Sequence, residues 1–368
     1  MYTHNDDLEL EGRFSNIAEK EFKFRLVNKN TIFNALRFAI GILLAFVLIH
    51  VTLKASGGDI WNKLIRVNKT LFILAVLIHG AIIGLAAFRW NILLKVQKIY
   101  LGFMSLIKLS LIGVFFNLAI PGAVGGDLVK MAFLTQKEKG KKPEAILTII
   151  LDRAVGLLGL LFLASIVVLF YFPNLISLDP KYRFIQISAI TIGLGSLLGI
   201  LGISLIEIRH RLMNYSIVAK VVQYGEKKFP RPVVFTIKRL TNALELYRKH
   251  RGAIIVSIVL SVLIQSSYAF NVFLVSRSIG TNKPGLCDFF LAVPVANAIA
   301  AIPVTPGGIG TRDATIAAYL ASMETPAEMI GVIPFIITLI ILLWGLIGSI
   351  VFIFYRRAKP NISDSKSP

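Results

Sequence analysis

Two proline- and glycine-rich interruptions divide the apolar sequence, and each ends in charged residues. The first covers positions 119–127 and the second covers 301–313. A helix broken inside a lipid bilayer leaves backbone groups unpaired, so it persists only where protein or a water-filled cavity surrounds it. A matching pair of breaks, one in each half of a membrane protein, indicates a binding site near the middle of the bilayer. The candidate binding residues are Pro121, Gly122, Gly125, Gly126 and Asp127 in the first interruption, and Pro303, Pro306, Gly307, Gly308, Gly310, Arg312 and Asp313 in the second.

The first interruption has the composition of an anion site. Asp127 can cap the helix predicted to follow it, because its carboxylate can accept hydrogen bonds from the free amides of the first turn. Gly125 and Gly126 allow successive N–H groups to converge, and a helix N-terminus favours negative charge. Lys130 follows three residues after Asp127, on nearly the same helix face. The stretch predicts a phosphate site. The alternative is a capped turn with a lysine that extends to the membrane surface.

The second interruption repeats this arrangement with an arginine. Arg312 is the only Lys or Arg between Lys283 and Arg356. The planar guanidinium group matches phosphate oxygens well. We therefore expect Arg312 to bind a phosphate, with the alternative that Arg312 and Asp313 belong to a structural ion network.

A third charged motif lies within a predicted membrane span. A charged side chain costs about 2.5–3.5 kcal/mol at the centre of a bilayer, so neither Asp152 nor Arg153 is expected to face lipid. Glu144, Thr148 and Asp152 share one helix face, and Arg153 points roughly 100° away. The spacing predicts that Asp152 is paired inside the helix bundle and that Arg153 faces a cavity. The alternative is a salt bridge that fixes two helices together.

The composition indicates which kind of structural element positions these candidate residues. The 368-residue chain is 55% hydrophobic and 16% charged, and its mean hydropathy is +0.73. These values indicate an integral membrane protein with an all-α polytopic fold. A crossing helix needs about 20 mostly apolar residues. Two shorter apolar segments, Leu101–Ile120 and Phe289–Ile302, run into the interruptions. About six full-length spans are predicted, at Ile32–Leu53, Leu71–Trp90, Ala145–Phe172, Phe184–Ile206, Ala253–Ser276 and Ile330–Tyr355.

The distribution of Lys and Arg predicts the orientation of the chain. Suppose that both termini are cytoplasmic and that each interrupted segment re-enters the membrane. Most Lys and Arg residues then fall on the cytoplasmic side. This agrees with the general preference of basic loops for the cytoplasm. The first re-entrant hairpin would then enter from the cytoplasm and the second from outside, as in an inverted repeat. The alternative is eight ordinary spans. We expect a polar cytoplasmic segment at 1–31, a transmembrane domain at 32–355 with an amphipathic cytoplasmic loop at 207–251, and a cytoplasmic tail at 356–368.

Several function classes have no signal in the sequence. The net charge is +20, but the basic residues flank apolar spans, so we do not predict nucleic-acid binding. The single cysteine, Cys287, cannot form an internal disulfide. There is no ATP-binding Walker motif and no metal-ligand spacing, so no cofactor and no metal are predicted. Asn117, which precedes the first break, is a further candidate binding residue. It and the other polar residues in the apolar segments are also interpreted as contacts between helices, namely Asn297, Ser261, Gln265, Tyr268, His50 and His79.

Three motifs, taken in order, resemble the signature of a known family. The chain is similar to the lysylphosphatidylglycerol synthase transmembrane region, a flippase-like family, from about Ile32 to Tyr355. Lys130 stands where arginine is common in that family, and Asp313 stands where glutamate is common. The motifs are Asn117…Pro121-Gly122…Gly125-Gly126-Asp127…Lys130, Leu151-Asp152-Arg153, and Pro303…Pro306-Gly307-Gly308…Gly310…Arg312-Asp313.

The resemblance implies translocation of a lipid with a charged head group. Full-length members also carry a soluble domain that transfers an aminoacyl group from tRNA to phosphatidylglycerol. Because the chain ends at Pro368, shortly after Tyr355, we expect it to lack that domain and not to be an enzyme. The lipid would be an aminoacyl-phospholipid, a polyprenyl-phosphate-linked lipid or another glycolipid. We expect a multi-pass protein of the cytoplasmic membrane of a prokaryote.

Two alternatives to transport stay open at this point. One is a membrane-embedded transferase acting on a lipid phosphate, with Asp127 or Asp152 as general base. The other is a non-catalytic partner of a separate synthase or glycosyltransferase.

Overall fold

The computed structural model of the protein describes residues 67–119, 125–137, 139–176, 183, 186, 187, 189–197, 246–302, 305–323 and 325–357, and within them it is all-α with no strand. The predicted span Ile32–Leu53 and almost all of the loop 207–251 lie outside these residues. So do Pro121, Gly122 and Pro303 of the candidate site, and most of the two terminal segments.

Four long helices form the frame of the described structure. They are α1 (Lys69–Val96), α4 (Lys142–Ile176), α5 (Arg251–Ser278) and α9 (Val332–Arg357). Apolar stretches long enough to cross a membrane occupy all four, the last of them beginning at Ala327. These helices correspond to four of the predicted spans and confirm an all-α polytopic membrane protein.

The helices that flank the first interruption form a hairpin. Helix α2 (Phe103–Ala119) leads into it, and α3 (Gly125–Lys137) leads out toward a short 3₁₀ turn at Lys139–Lys141. The two helices approach very closely, since a Cβ atom on Gly126 would lie 2.3 Å from the carbonyl oxygen of Gly113. The absence of a side chain at Gly126 is therefore what allows the hairpin to close.

The second interruption also reverses the chain. Helix α6 (Leu286–Ala300) enters it, a 3₁₀ turn at Pro306–Gly308 forms its tip, and α7 (Thr311–Ser322) returns. Gly307 has a φ of +59°, a left-handed conformation that glycine adopts without strain. The short helix α8 (Ala327–Ile330) then joins this hairpin to α9.

The two hairpins open toward opposite ends of the bundle. Helices α1 and α5 are antiparallel, because the amide of Asn68 donates to the carbonyl of Ser278 over 2.7 Å at one end. At the other end, the ammonium of Lys141 donates to the carbonyl of Lys98 over 2.9 Å. The first hairpin lies between Lys98 and Lys141 in sequence and opens at their end. The second hairpin follows Ser278 and opens at the end where Ser278 lies.

The tips of the two hairpins touch. A Cβ atom on Gly307 would lie 3.2 Å from Leu118 Cδ2 and 3.5 Å from the carbonyl oxygen of Asn117. The described chain is therefore an inverted repeat. In one half a hairpin separates α1 from α4, and in the other an opposed hairpin separates α5 from α9. The half-helices of each hairpin pack against each other, so the alternative of eight full crossings is not the arrangement of the described residues.

Candidate functional site

A largely buried ion pair connects α1 to α4 beside the first hairpin. The guanidinium of Arg89 donates to both oxygens of Asp152, over 2.8 Å from Nε and 3.1 Å from Nη2. Its Nη1 atom donates to Ser261 Oγ on α5 over 2.8 Å. Asp152 is thus paired inside the bundle, as the helix spacing predicts. The pair also joins two helices, which is the structural alternative considered for this motif.

A second ion pair connects α4 to the first turn of α3. Arg153 Nε donates to Asp127 Oδ2. The two side chains differ in accessibility: 48% of the Arg153 side chain is exposed, against 8% for Asp127. The cation therefore remains within reach of another anion, whereas the carboxylate that neutralises it is buried.

Lys130 completes this group of charges. Its Nζ atom lies 5.0 Å from the centre of the Trp90 ring, in cation–π contact. It is also close enough to interact electrostatically with Asp127, Asp152, Arg153 and Arg89. Within the described part of the chain, Lys130 has no carboxylate at ion-pair distance. We call this group the first cluster, and its members are Arg89, Asp127, Lys130, Asp152 and Arg153.

The prediction that Asp127 caps α3 is wrong. Helix α3 begins at Gly125, so Asp127 already lies inside its first turn, where it pairs with Arg153. The acceptor for the free amides comes instead from the other half-helix, since Asn117 Oδ1 accepts a hydrogen bond of 2.8 Å from the amide of Gly126. Asn117 therefore ties together the two sides of the break.

The second hairpin carries a polar network in which Arg312, Asp313 and Thr338 are buried and Tyr268 is partly buried. Arg312 donates to Asp313 Oδ1 over 3.1 Å from Nε and 2.7 Å from Nη2. It also donates to Tyr268 on α5 over 3.2 Å and to Thr338 on α9 over 2.7 Å. The exposed fractions of the Arg312 and Asp313 side chains are only 5% and 3%. We call Arg312, Asp313, Tyr268 and Thr338 the second cluster.

Asp313 also organises the backbone of the second break. Its Oδ2 atom accepts a bond of 3.1 Å from the amide of Gly310 and another of 2.7 Å from Thr338 Oγ1. Because Asp313 receives these bonds in addition to those from Arg312, the turn, helix α7 and helix α9 are held by one carboxylate. This arrangement matches the structural ion network that the sequence left open for Arg312.

Each half contains an equivalent side-chain contact, and the sequence separation of the two bonded residues is nearly the same. In the first half, Asp127 accepts a bond from Arg153, 26 residues later. In the second half, Asp313 accepts a bond from Thr338, 25 residues later. Each bond joins the first turn of a returning half-helix to the next long helix, which supports the inverted repeat at the level of single side chains.

The remaining candidate residues surround these contacts. Gly125, Gly126, Gly308, Gly310 and Pro306 are buried at the two turns. Asn297, the counterpart of Asn117 in the second half, donates to Gln265 on α5 over 3.2 Å. Both amides therefore contact neighbouring backbone or helices, as expected for residues that stabilise a break.

Sequence reasoning missed three members or neighbours of the clusters. Arg89 could have been identified from the sequence, because it is a charged residue near the end of a long apolar run. Trp90 and Thr338 carried none, since a tryptophan or a threonine in a membrane helix is ordinary. Their roles emerge only from the packing of α1 against α4 and of α7 against α9.

These features define a class: a multi-pass α-helical membrane protein in which two opposed re-entrant hairpins meet inside the bundle. The family model of the lysylphosphatidylglycerol synthase TM region matches residues 34–356, and the chain belongs to this family. No curated protein matches the sequence. The family confirms the resemblance drawn from the three motifs and relates the protein to lipid modification or flipping.

Proposed function

We propose that the protein moves a lipid with an anionic head group between the leaflets of the membrane. The observation that carries this proposal is the contact between the two hairpin tips at Gly307 and Leu118. It brings two broken helices together inside the bundle, which is where transporters of inverted-repeat architecture bind their substrates. The lipid would be an aminoacyl-phospholipid, a polyprenyl-phosphate-linked lipid or another glycolipid.

Arg153 is the group best placed to receive the head group. Moving a phosphate through hydrocarbon is costly unless a cation accompanies it. Arg153 is half-exposed and is neutralised by Asp127. A lipid phosphate would replace Asp127 as its partner, and the guanidinium fork would bind two phosphate oxygens. The acyl or prenyl tails would stay in the bilayer.

Arg312 has a different role in the proposed cycle. Its hydrogen bonds to Asp313, Thr338 and Tyr268 must open before it can bind a phosphate. We therefore expect Arg153 to bind the head group first, and Arg312 to become available only when the second hairpin moves. Asp313 keeps Arg312 neutralised until then.

The proposed orientation follows from the basic end of the bundle. Residues at the end where the first hairpin opens include Lys95, Lys98, Lys141, Lys142 and Arg251. Lysine and arginine are enriched in cytoplasmic loops. The first hairpin would then open to the cytoplasm, in a prokaryotic cytoplasmic membrane with both termini inside.

A leaflet-exchange assay tests the proposal. The protein is reconstituted in liposomes with a fluorescent phosphatidylglycerol, and the fraction protected from a membrane-impermeant quencher is followed over time. Arg153→Gln should reduce the exchange rate by about tenfold or more, because a buried phosphate would lose its charged partner. Arg251→Gln, which removes an exposed arginine outside both clusters, should leave the rate unchanged.

Two results would contradict this function. Exchange by the parent protein no faster than in empty liposomes argues against transport of this lipid class. Equal rates for Arg153→Gln and Arg251→Gln argue against the proposed role of Arg153. Conversion of a labelled lipid phosphate by the purified protein would favour the transferase alternative, and co-purification of a synthase without exchange would favour the partner role.

A further inference from the structure

We propose that His79 on α1 binds a proton when a lipid phosphate reaches Arg312, and that the protein thereby couples lipid movement to the proton gradient. This inference rests on the proposed function and names the ion that accompanies the lipid. It comes from two buried polar side chains between α1 and α5, each with one unpartnered atom, and from the contact of one of them with the second cluster.

The inverted repeat sets Asn271 opposite His79. Helices α1 and α5 each contain 28 residues. Counted from the first residue of each helix, Asn271 on α5 corresponds to Arg89 on α1, and His79 on α1 corresponds to Ser261 on α5. In the first half, Arg89 donates to Ser261 Oγ over 2.8 Å. The equivalent pair in the second half is Asn271 and His79.

A hydrogen bond between α5 and α1 supports this placement. Asn271 Nδ2 donates to the carbonyl of Ala75 over 2.7 Å. Ala75 lies one helical turn before His79, on the same face of α1. A helical side chain extends over the turn that precedes it. The His79 ring therefore extends toward the turn of α1 that Asn271 contacts.

His79 and Asn271 each have an unsatisfied polar atom. The exposed fractions of the two residues are 6% and 0%. Among the described residues, His79 Nδ1 and Asn271 Oδ1 are buried without a hydrogen-bond partner. A buried polar atom in this state costs free energy. A charged imidazole donates from both ring nitrogens, so a proton on Nδ1 would supply the donor that the Asn271 oxygen lacks.

His79 also contacts the second cluster. The centre of its ring lies 5.8 Å from that of the Tyr268 ring, and the Tyr268 hydroxyl accepts a bond of 3.2 Å from Arg312 Nη1. Arg312 is close enough to His79 to act on it electrostatically. Because Arg312 and Asp313 already balance each other, a proton on His79 would add an uncompensated charge to a buried site. The closed second cluster therefore opposes a proton at His79.

The other helices that pack on α1 bring no charge to His79 within the described part of the chain. They are α2, α4 and α9. The single titratable residue of α2 is the exposed Lys108. The charge that α4 brings to α1 is Asp152, which pairs with Arg89 ten residues along α1 from His79. Helix α9 presents the Trp344 indole to this part of α1 and has no titratable residue before its last turn.

A lipid phosphate would change the charge balance around His79. In the proposed cycle the second hairpin moves, and Arg312 exchanges Asp313 for the phosphate. The phosphate adds one negative charge to the site, and a proton on His79 restores neutrality. The coupling is reciprocal, so the bound proton strengthens phosphate binding by the same factor. The proton and the head group would therefore cross the membrane together, in the same direction.

The equilibrium distribution of a labelled lipid tests this coupling. The protein is reconstituted in liposomes with a trace of fluorescent phosphatidylglycerol, and the pH of the lumen is set above that outside. Valinomycin with equal potassium on both sides holds the membrane potential at zero. One proton per lipid should enrich the label in the inner leaflet by up to about tenfold for a difference of about one pH unit. Movement without a proton leaves the label evenly distributed, and empty liposomes give the background.

Three variants locate the proton. His79→Gln keeps a polar side chain that does not titrate, so we expect continued exchange with an inner-to-outer ratio near that of even distribution. Asn271→Ala removes the proposed acceptor and should lower the ratio in the same direction, by less. His250→Gln removes an exposed histidine at the start of α5 and should keep the ratio of the parent protein.

The distribution separates proton coupling from transport itself. An even distribution in a parent protein that does exchange lipid overturns the coupling and leaves the transport function standing. A parent ratio that His79→Gln retains overturns the assignment of His79. Should His79→Gln not fold, Asn271→Ala decides: a lowered ratio supports the site, and an unchanged ratio overturns it.

A second measurement applies if the parent protein exchanges no lipid, in which case the transport function is wrong. Phosphatidylglycerol micelles are added to the detergent-solubilised protein in weak buffer, and proton uptake is followed with a pH indicator. Uptake of about one proton by the parent and none by His79→Gln would support the proton site without transport. Equal uptake by the two proteins, or none by either, would overturn it.

Discussion

The two halves of the molecule share one scaffold and differ in how they neutralise an arginine. In the first half the arginine lies on the long helix α4 and reaches the aspartate of the hairpin from outside it. In the second half the arginine and the aspartate are neighbours in the hairpin itself, and a threonine on α9 completes the contact. The first arrangement leaves Arg153 48% exposed, and the second leaves Arg312 only 5% exposed.

This difference in the exposure of the two arginines indicates that the two halves have different roles. An ion pair whose cation is half-exposed can exchange its carboxylate for a ligand, because water and ligand both reach the cation. A buried pair with every neighbour bonded resists exchange, because breaking it leaves a charge without solvent. Under the proposed function, the first cluster would bind the head group and the second would hold a hairpin in position.

The largest loss of stability is expected when the second cluster is broken. Asp313→Ala leaves the buried Arg312 without its carboxylate and should destabilise the protein by about 3–5 kcal/mol. Asp127→Ala should have a clearly smaller effect, because Arg153 can turn to water. Thermal unfolding of both variants in detergent compares them. Equal losses of stability would show that the two clusters do not differ in the way their exposure suggests.

A smaller effect is expected at the first hairpin. Gly126→Ala places a Cβ atom 2.3 Å from the carbonyl oxygen of Gly113 and should cost about 1–3 kcal/mol through overpacking. The matched control is Gly84→Ala on α1, where nothing lies within 4 Å of the new atom. That variant should be neutral or slightly stabilising. A stable Gly126→Ala protein would mean that α2 and α3 can separate at no cost.

The smallest loss of stability is expected for the asparagines beside the two breaks, and it compares the two halves at that point. Asn117→Ala removes the acceptor for the Gly126 amide and should cost about 0.5–2 kcal/mol, the range for loss of a helix cap. Asn297→Ala in the second half removes only a contact of 3.2 Å with Gln265 and should cost less. Hydrogen exchange at the Gly126 amide would report the difference, with faster exchange expected in Asn117→Ala alone.

The architecture was predictable because it depends on patterns that the membrane enforces. Apolar length predicted the long helices, and proline and glycine within apolar runs predicted both breaks. The excess of Lys and Arg in alternate loops predicted that the hairpins oppose each other, and the hydrogen bonds Asn68–Ser278 and Lys141–Lys98 at opposite ends of the bundle confirm this. The orientation, the domain boundaries and the binding roles of the site residues stay predictions.

The pairing of side chains was predictable only in part. Helix periodicity predicted that Asp152 turns inward, but its partner Arg89 lies 63 residues away, and no local pattern connects them. Asp127 was predicted as a cap because the sequence does not show that α3 already begins at Gly125. Thr338 was beyond prediction, since its importance comes from the position of α9 against α7.

The contact between Gly307 and Leu118 also bears on the permeability of the membrane to ions. A continuous watery channel through such a protein would let protons and sodium run down their gradients. The two tips rest against each other at Gly307 and Leu118, and packed atoms at this point oppose such a channel. Under the proposed function, this contact would let a polar head group enter from one side at a time while the cell keeps its membrane potential.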